Sequence, residues 1–164
     1  MRHELAEAVT WHVDRAAEKL RAQGSMAGAI HVFIETNRFR TNDDQYHAGQ
    51  VVSISELTDD SRILTSAAIA GLRRIYRAGF AYKKSGVMLM ELSLNANRQA
   101  TLFEDTPARL RSAKTMAVLD AINKEWGQGT LHSGATGVSK RWAMRSENRS
   151  PRYTTQWDEL SVAQ

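Results

Sequence analysis

The stretch TDDSRILTSAAIAGLRRIYRAG, residues 58–79, is separated by the seven residues FAYKKSG from VMLMEL, residues 87–92. Together the two decide how this chain folds. Asp60 or Ser61 offers a side-chain oxygen to the orphan N–H groups of a first helical turn. Ile63, Ala67, Leu72, Ile75 and Tyr76 follow at helical spacing and predict the buried face. Gly79 marks the stop. VMLMEL is apolar at nearly every position and reads as a strand of the same unit.

Working toward the N-terminus, VVSISEL (51–57) is a second strand, and TNRFRTNDDQYHAGQ (36–50) is a polar loop. AIHVFIE (29–35) is a third strand, with Ile30, Val32 and Ile34 on one side. Residues 3–22 place Leu5, Val9, Val13, Ala16 and Leu20 three and four apart, and Gly24 follows. The predicted order is helix, strand, strand, helix, strand. One further strand in front would make it β-α-β-β-α-β, a recurring two-layer α+β arrangement.

Beyond residue 97 the texture changes. RQATLFEDTP is linker-like, and a third helix is expected from a Thr106 cap and Pro107 to about Trp126. Leu110, Met116, Leu119, Ile122 and Trp126 mark its apolar side. GQGTLHSGATGVSK is loop-like, and the chain ends in aromatic and basic residues. The division read from this is 1–97, a linker over 98–106, and an extension over 107–164 with one helix and mostly loop.

At 164 residues with 42% hydrophobic content the chain can bury a core. No apolar run approaches the ~18 residues of a membrane span, and MRHELAEAV does not read as a signal peptide. The absence of cysteine suits a reducing interior, and cytoplasmic is the default expectation. The net charge of +4 is less informative than its distribution. Arg62, Arg73, Arg74, Arg77, Lys83 and Lys84 fall in a run without an acid, which predicts a positive face.

Motifs for self-contained catalysis are lacking. His3, His12, His31, His47 and His132 show no metal-ligand spacing, and Asp43-Asp44 is a pair of adjacent loop acids, of the kind usually solvated, with no third carboxylate nearby in the sequence. Gly134–Lys140 misses the phosphate-loop spacing, and no serine sits in a nucleophile elbow. The sequence therefore predicts no catalytic residue, metal or cofactor.

EAVTWHVDRAAEKLR, VFIETNRFR, ILTSAAIAGLRRIYRAGFAYKKSGVML, QATLF and SPRYTTQWDEL occur in an order that resembles the C-terminal part of the UmuC family. These are the catalytic subunits of the SOS-induced Y-family translesion DNA polymerase V of bacteria. The resemblance covers nearly the whole chain, with YKKSGVML and SPRYTT its most specific pieces. It implies a little-finger DNA-binding domain starting at its first helix, one strand late, then a sliding-clamp-binding peptide and an extension of undefined role. The palm with its metal-binding carboxylates falls outside this part, so the chain is expected not to be an enzyme by itself. The implied role is tethering a polymerase to primer–template DNA and to the sliding clamp during SOS mutagenesis and DNA repair. A UmuD-type accessory subunit and a recombinase filament are further implied partners. The alternative is a stand-alone, non-catalytic protein that occupies the clamp or binds nucleic acid generally.

The resemblance implies residue roles as well. Asn37, Arg38, Arg40, Lys83 and Lys84 would contact the DNA backbone, where long cationic donors supply affinity without base specificity. Phe39 and Tyr82 lie among them and read as packing residues. In QATLF, Gln99, Leu102 and Phe103 would anchor on the clamp; Ala100 departs from the leucine often found there and implies reduced affinity. Alternatively, Leu102-Phe103 folds back onto the third helix. A first strand missing from inside the sheet would leave VFIET and VMLMEL with unpaired backbone groups.

Overall fold

The computed structural model describes residues 3–97, 106–137 and 142–143. Helix α1 (His3–Ala22) leads through Gly24, in the left-handed conformation at φ +65°, into strand β1 (Ser25–Thr36). Strand β2 (His47–Thr58), helix α2 (Ser61–Ile75) and strand β3 (Tyr82–Met90) follow, then the two-residue strand β4 (Ser93–Leu94) and helix α3 (Thr106–Trp126). The expected α+β order is present. The strands start earlier than their apolar centres suggested, because β1 is extended by SMAG and β3 by YKKSG.

β1 is the central strand. It pairs antiparallel with β2 on one side and β3 on the other, giving the order β2-β1-β3. β4 pairs with Ser25 and Met26 of β1 and prolongs the β3 register. The interruption falls at Glu91, whose φ of +53° is rare for a residue with a side chain. Glu91 still accepts a hydrogen bond from the Gly28 N–H, at 3.2 Å. The expectation of a vacancy between VFIET and VMLMEL is overturned. Their backbones bond directly to one another, from Ala29↔Met90 to Thr36↔Tyr82. Among the described residues, the outer edges of β2 and β3 are the sheet's open edges.

Both helices of the first unit cover one face of the sheet. Val9, Val13, Ala17 and Leu20 of α1 meet Leu64, Ala68, Leu72 and Ile75 of α2 over Ile30, Val32 and Ile34 of β1. Leu72 and Ile75 of the predicted α2 face are buried, but in the first half of the helix the buried positions are one further on: Leu64 and Ala68 are inside, whereas Ile63 is 47% exposed and Ala67 half-buried. Gly71 explains the choice. A Cβ there would lie 3.0 Å from Val52 Cγ2, so the helix comes close to the sheet only with its Gly71 side inward. Asp60 is the N-cap of α2, accepting from Arg62 N at 2.8 Å, and Ser61 is buried as the first helical residue. On α3 only Met116 of the predicted apolar side is buried. Leu119 and Ile122 are half-buried, and Leu110 and Trp126 are exposed.

Gly71→Val should lower stability by about 1–3 kcal/mol through overpacking against Val52, measured by chemical denaturation. A neutral result would mean α2 does not ride this close. A second expectation concerns acid. Burial pushes the Asp60 carboxyl up, but hydrogen bonds from Arg62 and Ser112 outweigh it and leave it below its ordinary 3.8. A depressed carboxyl stabilises the fold above its unfolded value, and this is lost as pH falls through the folded one. Asp60→Asn keeps the cap and removes the charge. The variant should lose less stability than the native chain between about pH 4 and pH 2; parallel curves would refute the linkage.

Candidate nucleic-acid interface

Alternation along β1 sends its second set of side chains to the sheet's helix-free face. His31 and Phe33 lie there with ring centroids 6.1 Å apart, stacked at 24°. Two glycines on neighbouring strands let these rings lie down. A Cβ at Gly49 or at Gly86 would come within 2.5 Å of His31 or Phe33, respectively. The rings form a floor. Toward β4 the face becomes apolar, with Val51 and Met88 exposed. Toward the β1–β2 loop it becomes charged.

The charged end is built around Glu35. Its carboxylate accepts from Lys84 Nζ at 3.0 Å and from Arg38 Nη2 at 3.2 Å, and the register places Lys84 and His47 beside it on either side. The Lys84 ammonium, hydrogen-bonded to it, holds the Glu35 carboxyl below the usual range. Lys83 would alternate to the other face of the sheet in a regular strand. The register instead shifts between Glu35 and Thr36, so Lys83 is the extra residue of a bulge. Both lysines are exposed as a result.

The loop between β1 and β2 is held from inside. Gln45 Nε2 lies within hydrogen-bond reach of the carbonyls of Asn37, Arg40 and Asp43, at 3.2, 2.9 and 2.9 Å. Its Oε1 accepts from Thr36 Oγ1 at 2.8 Å. Asn37 Oδ1 accepts from the Phe39 N–H at 3.2 Å, which makes Asn37 a turn residue here. Arg40 leans on Asp43 at 3.6 Å.

Of the residues expected to meet DNA, Arg38 and Lys84 are brought together through Glu35, with Lys83 next in the chain. Arg40 sits further along the loop with its own acid. Glu35 and Gln45 were not anticipated; the signal for Glu35 was its place on the solvent side of an otherwise apolar strand. Phe39 corrects an expectation. It is 94% exposed between two arginines and packs on nothing. Tyr82 does pack, its hydroxyl donating to Arg77 O at 2.7 Å and accepting from Arg77 N at 3.0 Å. The basic run is divided between layers: Arg73 and Arg74 are exposed on α2, on the other face of the sheet from Lys84. Arg77 lies over the Tyr46 ring, 4.9 Å from its centroid. Gln99, Leu102 and Phe103 lie outside the described residues. Among the described residues, no three His, Asp or Glu side chains gather as a metal site would require.

A shallow groove of about 510 Å³ runs beside the charged end, between α1 and the open edge of β3. Leu5, His12, Phe33, Tyr82, Lys83 and Trp142 line it. Burial lowers the His12 pKa, so the neutral ring is favoured on this wall. Among the described residues no helix is long and apolar enough to cross a membrane.

Residues 1–102 match the impB/mucB/samB family C-terminal domain, and residues 113–163 match a domain of unknown function, DUF4113. Protein UmuC of Salmonella typhimurium is 40% identical over 157 residues, covering 96% of this chain and 37% of that protein. Protein MucB of Salmonella typhimurium is 38% identical over 160 residues, covering 98% of this chain and 38% of that protein. Protein MucB of Escherichia coli is 38% identical over 160 residues. The chain thus spans little more than a third of the length of these relatives. It belongs to the impB/mucB/samB family and corresponds to the C-terminal part of its members.

Proposed function

We propose that this chain is the DNA-gripping and sliding-clamp-tethering part of an SOS-induced translesion DNA polymerase, and that it transfers no nucleotide itself. The observation that carries the reading is the gathering of Lys84 and Arg38 at one end of the helix-free sheet face, with Lys83 thrown outward beside them by a bulge. Exposed ammonium and guanidinium groups on a broad face suit the phosphates of duplex DNA and read no base edge. Glu35 gives the cluster its shape and also competes with phosphate for the same cations. The match to impB/mucB/samB proteins and the similarity to UmuC and MucB support the polymerase assignment. Tethering is assigned to Gln99, Leu102 and Phe103, whose segment connects a turn at Asn95–Asn97 with α3. A short peptide with adjacent apolar anchors and an orienting amide suits a pocket on a clamp. A UmuD-type subunit and a recombinase filament are further partners that the family implies, and the cytoplasm is the compartment in which such a complex would act.

Duplex binding should fall steeply with salt and be indifferent to sequence. Lys83→Ala with Lys84→Ala should weaken it and flatten the salt slope by about one unit per lost phosphate contact. Glu35→Gln should tighten binding, because it frees both cations and removes a charge that repels phosphate. Fluorescence anisotropy at several salt concentrations measures all three chains. Unchanged slopes would place the DNA surface elsewhere.

Leu102→Ala with Phe103→Ala should abolish binding to the sliding clamp and leave the fold intact. Each side chain entering a pocket is worth roughly 1.5–3 kcal/mol. A sharp fall in melting temperature for this variant would assign the pair to the core and defeat the tethering role.

A further inference from the structure

The two helices against the sheet are covered unequally. On α2 the outward residues Arg62, Ile63, Ser66, Ala70, Arg73 and Arg74 are exposed, as on an ordinary surface helix. On α1 the outward residues Trp11, Asp14, Arg15 and Glu18 are half-buried. Arg15 pairs with Glu18 at 2.6 Å, and groups from beyond Thr106 lie against Trp11, Asp14 and Glu18. Ser133 N donates to Asp14 Oδ2 at 3.4 Å, and Gln128 Nε2 donates to Glu18 Oε1 at 3.3 Å. The Trp142 ring stands 5.6 Å from Trp11 and 6.0 Å from His12. Thr136 is 2% exposed, and a Cβ at Gly137 would run into the Glu7 carboxylate. Burial pushes the Asp14 carboxyl above the usual range.

One side chain organises this contact. Arg21, near the end of α1, has a side chain only 8% exposed. Its Nε and Nη2 form a fork on the Asp120 carboxylate of α3, at 2.6 and 2.7 Å. Its Nη1 donates to Asp59 O and Ser61 Oγ, each at 2.9 Å, at the start of α2. Three helices therefore meet at one guanidinium, whose rigid fork accepts little change of geometry. A second tie joins the same helices, because Ser112 Oγ of α3 donates to the Asp60 carboxylate that caps α2. α3 needs such ties. Its apolar residues are spread around it and only Met116 is buried, so no single apolar face sets its position.

We propose that α3 and the loop that follows it, in the region matched by the domain of unknown function, form an intramolecular brace. Its partner is the outer face of α1, and Arg21–Asp120 is the anchor that sets its register. The brace stiffens the helical layer and leaves the opposite sheet face open. The first unit and the extension behave as one body and not as a domain with an independent tail. This inference does not depend on whether the sheet face binds DNA.

Amide hydrogen exchange on the 164-residue chain tests it. In the unmodified protein, α3 and residues 128–137 should be protected, together with the outward side of α1. Asp120→Asn preserves size and removes one charge of a partly buried pair. It should speed exchange in α3 and residues 128–137 by about tenfold while β1 and β3 keep their rates. Asp120→Glu should regain most of the protection, and Ser112→Ala should give a smaller rise in the same segment. Three results would overturn the brace: α3 unprotected in the unmodified chain, no change in Asp120→Asn, or a rise spread uniformly over the sheet.

Discussion

Everything in this fold leans on β1 being bonded along both edges. A strand so placed cannot slip by one residue without turning Ile30, Val32 and Ile34 out of the core and bringing Glu35 in. Its register with β2 and β3 therefore settles both faces of the molecule at once. The inward set is closed over by α1 and α2. The outward set becomes the floor and the acid of the candidate interface.

The chemistry of that interface is set by a carboxylate among cations. The Arg38 and Lys84 head groups are exposed and screened by solvent, so Glu35 is better understood as a spacer than as a staple. It draws Arg38 from the loop and Lys84 from β3 to one point, and neither would be confined there otherwise. Gln45 acts similarly on the backbone, gathering three carbonyls of the loop. The interface is thus prearranged by polar side chains on a rigid strand, while most of the basic charge read as one run is distributed to the other layer.

Arginine at a junction plays the corresponding part on the far side. The guanidinium of Arg21 has five N–H donors in a fixed plane, and they are shared between Asp120 of α3 and two oxygens, Asp59 O and Ser61 Oγ, at the start of α2. A lysine would supply the charge without the geometry. The same economy appears at Asp60, which caps α2, pairs with Arg62 and receives Ser112. Two side chains at the α1–α2 seam therefore locate a third helix that has little apolar face to locate itself.

Much was legible in the residues alone, because local rules dominate where they agree. The helices and strands follow from periodicity, the α2 cap from the acid before it, and the exit from α1 from a glycine able to turn left-handed at Gly24. QATLF and the basic pairs stand out as segments with no local structural reason to be apolar or charged. Other features required the third dimension. How near α2 comes to the sheet is set by the bare Gly71, whose close approach to Val52 no periodicity count reports. Lys83 and Lys84 should alternate, and only a bulge fixed by β1 exposes both. The sheet order is a choice among pairings that join segments far apart in the chain, such as Ala29 with Met90, about which spacing says nothing. The meeting of Arg21 with Asp120 is of the same kind. The sequence by itself determined which segments would be helix or strand and which side chains could do chemistry, since those depend on neighbours along the chain. Tertiary structure alone decided which of them share a surface, since hydrogen-bond register and packing join residues that no local signal connects.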